Sequence, residues 1–439
     1  MMSDAVVTKS PAVVVGPSEP GTPTAIISLS SFDKVQIPIP MALLLVFDEP
    51  IDDPAESRGG DRPQGPRAWA WGSIKKALSR ALVPYYPMAG RLVAGADEDA
   101  YLSIACTGEG VPFVAASASC ALEEAMTSPS FLKELTVRYP GELYCLSDAL
   151  LLMQVTEFSC GGFVVGVTWN HVMADGARIA QFLQALGELA RGMGAPSVVP
   201  VRSGATIPPM PTPVVAALRS QMQVLTEELA TLDVTIPSSL ISRVKAECGG
   251  DCTTFEVVAA ALWRSRTRAI FSGSDPDAPA MLFFPKNMRE KVGAECGYYG
   301  NCFGSQLVLA TSSAVASAEI RDLVKLVKGH ADILDLLMDA GAATVVDLGR
   351  LMSSPRYHAI AVSSWQKLGL EATDFGRGKP ARVMWQPETL PEKLGEKAVG
   401  FFCVVCPPCK GKDGVNVLSR CVTPEHAEAF LAELAALDM

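Results

Sequence analysis

Apolar positions along this chain recur in two different periods. Short apolar or alternating runs at Ala25 to Ser30, Ala42 to Phe47, Tyr101 to Ile104, Leu151 to Thr156 and Phe163 to Trp169 read as strands. The last two, separated by FSCGG, read as a pair within a mixed sheet. Between them fall helical stripes. Ile74 to Leu82 carries one, stopped near Pro84 and Pro87, and Ile179, Phe182, Leu183, Leu186 and Leu189 form another that begins at Gly176. In the second half, helices are expected from Pro237 to Val244 and from Thr253 through Arg264, with Ser and Thr suited to capping. Strands at Met281 to Phe284 and Gln306 to Leu309, helices from Ala318 to about Leu337, and a helix from Pro424 to Leu437 complete an α/β pattern.

Two stretches interrupt these periods. Asp52 to Trp71 mixes charge, Gly, Pro and Trp and reads as a long surface loop. Ala195 to about Val215 turns to Pro, Ser, Val and Ala, the composition of a crossover, and a mixed helical segment follows to about Leu229. The 439 residues therefore divide into an N-terminal domain over 1–195, a crossover over 196–229 and a C-terminal domain over 230–439. Two domains imply a cleft.

Composition narrows the classes. A formal net charge of -10 argues against a general nucleic-acid binder. Mean hydropathy of +0.24 arises from short runs, none as long as a spanning helix, so no membrane partner is expected. The first residues, MMSDAVVTKS, lack the charge and apolar order of a secretory signal, and a cytoplasmic protein is expected. Twelve cysteines at this length are read as buried or incidental thiols. The tightest group, Cys403, Cys406 and Cys409, has odd spacing on an apparent strand and no second cluster, so no metal site is assigned.

The chemistry concentrates at Asn170-His171-Val172-Met173-Ala174-Asp175-Gly176, where one of four histidines follows an apolar strand and precedes a helix. Such a corner exposes a side chain while rigid elements hold it. A near-neutral imidazole can take a proton from a hydroxyl or amine attacking an activated carbonyl such as a thioester. Asp175 has two readings: on a helix it would share a face with His171, and at a corner it would turn inward onto a basic partner. The second is preferred. A hydrolase is disfavoured because no serine sits in a GxSxG elbow.

The HxxxDG motif, followed far downstream by Asp374-Phe375-Gly376-Arg377-Gly378, resembles the paired signatures of the plant BAHD acyl-CoA-dependent acyltransferases, whose second motif usually reads DFGWG. The likeness covers nearly the whole chain, through LSRALVPYYPMAGRL, TTFEVVAAALWR, GYYGNCF and VSSWQKLGL. It implies two chloramphenicol-acetyltransferase-like α/β domains with mixed sheets and an interdomain channel centred on His171. Part of 375–400 would pack on the N-terminal domain. The resemblance makes His171 the catalytic base, and Asp175, Gly176, Asp374, Gly376 and Arg289 structural motif residues, with Asp374 paired to Arg289 of Asn287-Met288-Arg289. Acyl-CoA is implied as co-substrate, with no permanently bound cofactor. Thr254, Lys286, Lys291, Ser364, Trp365 and Lys379 are candidates for holding it. Met173, Tyr299, Asn301, Phe303 and Arg377 are candidates for the substrate channel. A monomer is implied.

Three departures from the family pattern stand out. Arg377 replaces the usual Trp and either snorkels to solvent or reaches a CoA phosphate. The 290–296 passage is short, and 57–72 looks inserted. The GYYGNCF turn and CTGEG are most similar to the benzyl-alcohol-benzoyltransferase-like branch. That likeness implies an aromatic acyl donor, benzoyl or hydroxycinnamoyl, and a small alcohol or amine acceptor. Acetylation of a bulkier alcohol, or a catalytically silent CoA-binding protein, are the alternatives.

Overall fold

The first strand to place the site is Phe163–Asn170, in which all eight residues are buried. It lies between Leu151–Phe158 and Pro40–Phe47, antiparallel to both. Being covered on both faces and flanked on both sides explains why its sequence is almost continuously apolar rather than alternating. The computed structural model describes residues 5–48, 69–95, 101–139, 144–202, 207–220, 228–271, 275–339, 356–387 and 400–437. Most of the 57–72 segment, and residues 203–206 and 221–227 of the crossover, lie outside the described residues.

This strand belongs to a seven-stranded sheet ordered Val7–Lys9, Val111–Ala118, Leu151–Phe158, Phe163–Asn170, Pro40–Phe47 and Arg382–Gln386, with Val13–Val15 also paired to Val111–Ala118. A second seven-stranded sheet runs Leu232–Ile236, Val415–Arg420, Phe402–Val405, Ala359–Ser364, Pro279–Asn287, Phe303–Thr311 and Ala331–Asp332. Both sheets mix parallel and antiparallel neighbours. A small third sheet joins Ile26–Ser28, Leu102–Ala105 and Arg91–Ala94.

The two halves exchange chain. Arg382–Gln386, from the C-terminal half, adds to the first sheet antiparallel to Pro40–Phe47, with Trp385 opposite Leu43. Just before it, the Phe375 ring meets Phe47 edge-on at 5.6 Å, and Phe47 stacks on Phe163 at 4.5 Å. Phe32, from the N-terminal half, packs with Met281, Met288, Tyr298 and Leu337 of the second half.

Helix Gly176–Ala190 turns Ile179, Phe182, Leu183, Leu186 and Leu189 into the core of the first half. Thr254–Phe271 does the same for the second, burying Val257, Val258, Leu262 and Trp263. The helices expected from Ala318 to about Leu337 are Ile320–Lys328 and Ile333–Asp339. The first stops at Gly329, whose amide closes on Lys325 O at 3.0 Å.

Gly187 marks a close crossing. A Cβ there would lie 2.5 Å from the carbonyl oxygen of Asp374, a main-chain atom that cannot swing away. Gly187→Ala is therefore expected to lower stability by about 1–3 kcal/mol. Chemical denaturation monitored by circular dichroism checks this, and an unchanged midpoint would show that the crossing relaxes freely.

Candidate active site at the corner of the two halves

At the end of Phe163–Asn170 the chain turns through a loop pinned at every residue. The His171 amide donates to Ile39 O at 2.9 Å, Val172 N to Asn170 Oδ1 at 2.9 Å, and Met173 N to Asn170 O at 2.9 Å. Trp169 Nε1 donates to Ala174 O at 3.0 Å. Helix begins only at Gly176, so His171 and Asp175 do not share a helical face. Asp175 is instead the N-cap, its Oδ1 accepting from Arg178 N at 3.2 Å. Its Oδ2 accepts from Arg289 Nη2 at 2.7 Å and from Cys302 N at 3.0 Å. One carboxylate thus starts the helix and ties the corner to the other half of the molecule.

A second buried ion pair runs parallel to the first. Asp33 Oδ2 accepts from Arg202 Nη2 at 3.0 Å, with side chains 0% and 3% exposed. Asp33 Oδ1 accepts from both the amide and the Nδ2 of Asn301, at 2.8 and 2.9 Å. Asn301 Nδ2 also reaches His171 O at 2.8 Å and Val172 O at 3.2 Å. The turn at Tyr298 to Cys302 is therefore clamped between two carboxylates of the other half. Neither Asp33 nor Arg202 was identified from sequence. Ser30 and Asp33 do carry a readable S-x-x-D capping box, and it is formed. Arg202, in the crossover, had no local signal.

His171 itself is half-buried, its ring 5.9 Å from Phe303 and tilted by 54°. Burial lowers its pKa from the ordinary 6.5, outweighing its own main chain, Asp175, Asn301 and Asp33, which act the other way. The imidazole is therefore neutral at pH 7 and able to accept a proton.

Three expectations need correction. Arg289 pairs with Asp175, not with Asp374. Asp374 lies against Arg191, Oδ2 to Nη1 3.7 Å, and its carbonyl also accepts from that guanidinium. The reason is the helix between them: Asp175 caps its start and Arg191 its end, roughly 24 Å apart at 1.5 Å per residue. Asp374 Oδ1 turns back onto the amides of Gly376 and Arg377, at 2.7 and 3.0 Å, and Gly376 takes φ +93° to make that turn. The pair is about a third exposed, so Arg191→Met is expected to cost under about 1 kcal/mol, read as a small denaturation shift.

The second correction concerns the channel. Met173, Tyr299 and Asn301 are at most 1% exposed and do not face open space. Met173 belongs to the core, Tyr299 packs on Tyr85 at 4.9 Å, and Asn301 holds the loop. Phe303 remains beside His171, and Arg377 is half-buried in the turn after Asp374.

The third concerns the basic residues. Lys291 is occupied by Asp332 and Asp335, so its charge is compensated. Lys286 is exposed and lines a cleft of about 650 Å³ with Lys291, Gln306 and His330. Thr254 Oγ1 accepts from Lys245 Nζ at 2.8 Å, and Thr253 forms a reciprocal capping pair with Glu256. Ser364 ends a strand, and Trp365 is buried beside Gly176, where an added Cβ would stand 3.7 Å from Trp365 Nε1. Lys379 is exposed. Among the described residues no group of three His, Cys, Asp or Glu could hold a metal ion, and Cys403 and Cys406 are buried in the sheet.

Two mixed sheets, the first completed by Arg382–Gln386 from the second half, with His171 at a strand-to-helix corner tied to that half through Asp175, make a two-domain mixed α/β fold. The Transferase family matches residues 5–434. The chain is 40% identical to "Acyl transferase 15" of Oryza sativa subsp. japonica, over 98% of both chains. It is 33% identical to "Benzyl alcohol O-benzoyltransferase" of Petunia hybrida, over 83% of this chain and 81% of that one. It shares the fold of vinorine synthase with a TM-score of 0.76, at 19% identity and 98% coverage of each. The chain belongs to the BAHD family and is an acyl-CoA-dependent acyltransferase.

Proposed function

We propose that this enzyme transfers an aromatic acyl group, benzoyl or hydroxycinnamoyl, from CoA to the hydroxyl or amine of a small aromatic acceptor, with His171 as general base. The observation that carries the role of His171 is its half-buried ring on a loop pinned at each residue, held neutral by burial. Nε2 takes the acceptor's proton as its oxygen or nitrogen attacks the thioester carbonyl. The tetrahedral oxyanion then collapses, the C–S bond breaks, and the proton on His171 passes to the departing thiolate. No acyl-enzyme forms. Phe303 beside the ring offers an aromatic face for a flat group, and the benzyl alcohol benzoyltransferase likeness points the same way.

Lys286 is the basic side chain best placed for a CoA phosphate. It pairs across the ladder with Gly304, next to Phe303, and lines the cleft together with Lys291, Asp332 and Asp335. Lys286→Met is expected to raise KM for acyl-CoA by about three- to tenfold with kcat unchanged, the size of one exposed charged contact. An unchanged KM would move the phosphate site elsewhere.

The test of the whole reading is thiol release from benzoyl-, coumaroyl-, feruloyl- and acetyl-CoA with benzyl alcohol, tyramine and tryptamine, products confirmed by mass. Acceptor-dependent product from an aromatic donor is the expected result. Turnover with acetyl-CoA alone would overturn the choice of donor.

A further inference from the structure

Helix Thr254–Phe271 carries Arg266 into the core of the second half, where its side chain is only 1% exposed. Among the described residues the ionisable side chains that act on it are Cys421, Tyr357 and Cys403, none of them a carboxylate. Its Nε donates to Cys421 O at 2.5 Å and its Nη2 to Tyr357 O at 2.6 Å, and the guanidinium lies 5.1 and 5.0 Å from the ring centres of Tyr357 and Phe401. Carbonyls and ring faces ease the burial of a cation but do not neutralise it. The place calls for an anion.

Sulfur supplies one. Cys403 faces Ser419 across the ladder of Phe402–Val405 and Val415–Arg420, and Cys421 follows two residues on, just past the end of its strand. Cys403 Sγ donates to Ser419 Oγ at 3.3 Å, and Ser419 Oγ donates to Cys421 Sγ at 3.1 Å. All three residues are at most 1% exposed. The relay therefore runs one way and ends on Cys421 Sγ as an acceptor, a role that suits a thiolate far better than a thiol. Burial by itself would raise the Cys421 pKa, but the Cys403 hydrogen bond and the Arg266 charge outweigh it and the net direction is down. Burial, and Cys421 beside it, push the Cys403 thiol well above the ordinary 9.0.

We infer that Cys421 is a buried thiolate, the counter-ion of Arg266, and that with Cys403 it forms an oxidation site at which a peroxide makes a disulfide. The Cys421 sulfur attacks one peroxide oxygen, the O–O bond breaks, and hydroxide leaves a sulfenic acid behind. Cys403 then attacks that sulfur, the S–S bond forms, and the sulfenic hydroxyl departs as water with the Cys403 proton. Two electrons pass from the two sulfurs to the peroxide. Peroxide is small and uncharged, so local opening is enough to admit it.

The test needs no acyl transfer, so it stands apart from the proposed reaction. At neutral pH the wild type should show a thiolate band in the ultraviolet that Cys421→Ser lacks, and equal spectra would overturn the assignment. Arg266→Met should move the titration of that band about 1–3 pH units upward, the direction of losing a nearby cation. An unmoved titration would overturn the pairing. Hydrogen peroxide followed by non-reducing peptide mapping should join the Cys403 and Cys421 peptides with loss of two hydrogens, reversed by dithiothreitol. In Cys403→Ser the reaction should stop at a sulfenic acid on Cys421, trapped by dimedone. Absence of the cross-link from oxidised wild type would overturn the oxidation site, and that result does not depend on any variant folding.

Discussion

Replacing His171 by alanine is expected to reduce kcat/KM by about 10²–10⁴-fold, the usual worth of a general base, while leaving the fold intact. The structural half of that expectation follows from which atoms hold the loop. The hydrogen bonds of residue 171 to Ile39 O and from Asn301 Nδ2 use its main chain, so alanine keeps both. Steady-state rates with the active donor, beside the far-ultraviolet spectrum and Tm of the variant, provide the check. Activity within threefold of wild type would remove His171 from the mechanism. The pH dependence adds a sign. Burial lowers the His171 pKa below the ordinary 6.5, so the acid limb of kcat/KM should lie below that value. Stability follows the same direction: the unfolded chain takes up a proton near its ordinary pKa and the folded one resists it. This contribution is complete above the unfolded pKa and is lost as pH falls toward the folded one.

Breaking the buried Asp175–Arg289 pair is expected to cost far more stability than breaking the partly exposed Asp374–Arg191 pair. Arg289→Met leaves a carboxylate 9% exposed with its charged partner gone, and about 3–5 kcal/mol is the usual loss when one member of a buried pair is removed. Arg289 also donates to Gly300 O, so the Tyr298 to Cys302 turn loses a tether at the same time. Asp175→Ala should cost as much, since it deletes the helix cap as well, typically worth about 1 kcal/mol. Asp175→Asn keeps a capping oxygen and should fall between those two variants and the wild type. Equilibrium denaturation of the three variants, beside Arg191→Met, tests the ordering. If Arg191→Met costs as much as Arg289→Met, burial is not what sets the worth of these pairs. Catalysis should suffer with stability, because the loop that carries His171 is held from the same side.

The expected elements that the structure shows range from the fully buried Phe163–Asn170 to the largely exposed Ile26–Ser28. Phe163 to Trp169 and the stripe from Ile179 to Leu189 could be read because every turn or pleat faces the same environment. Val111–Ala118 escaped, since its run VPFVAASA is rich in small residues and has a proline in second place. Arg382–Gln386 escaped for another reason: its partner, Pro40–Phe47, is more than three hundred residues away in the chain, and pairing at that distance leaves no local period.

For the site the division is sharper. The sequence by itself determined the corner: an apolar strand, a histidine, an aspartate suited to an N-cap and an amphipathic helix, all within one short stretch whose chemistry is local. It also carried, through its two motifs, the family and hence acyl transfer from CoA. Only the tertiary structure decided who pairs with whom. Asp175 with Arg289, Asp33 with Arg202 and Asp374 with Arg191 join residues 114, 169 and 183 positions apart. A carboxylate has no preference in sequence among the guanidinium groups available to it. The choice falls to whichever one the packed sheets and the length of one helix bring within hydrogen-bonding distance, and desolvation then makes that choice costly to undo.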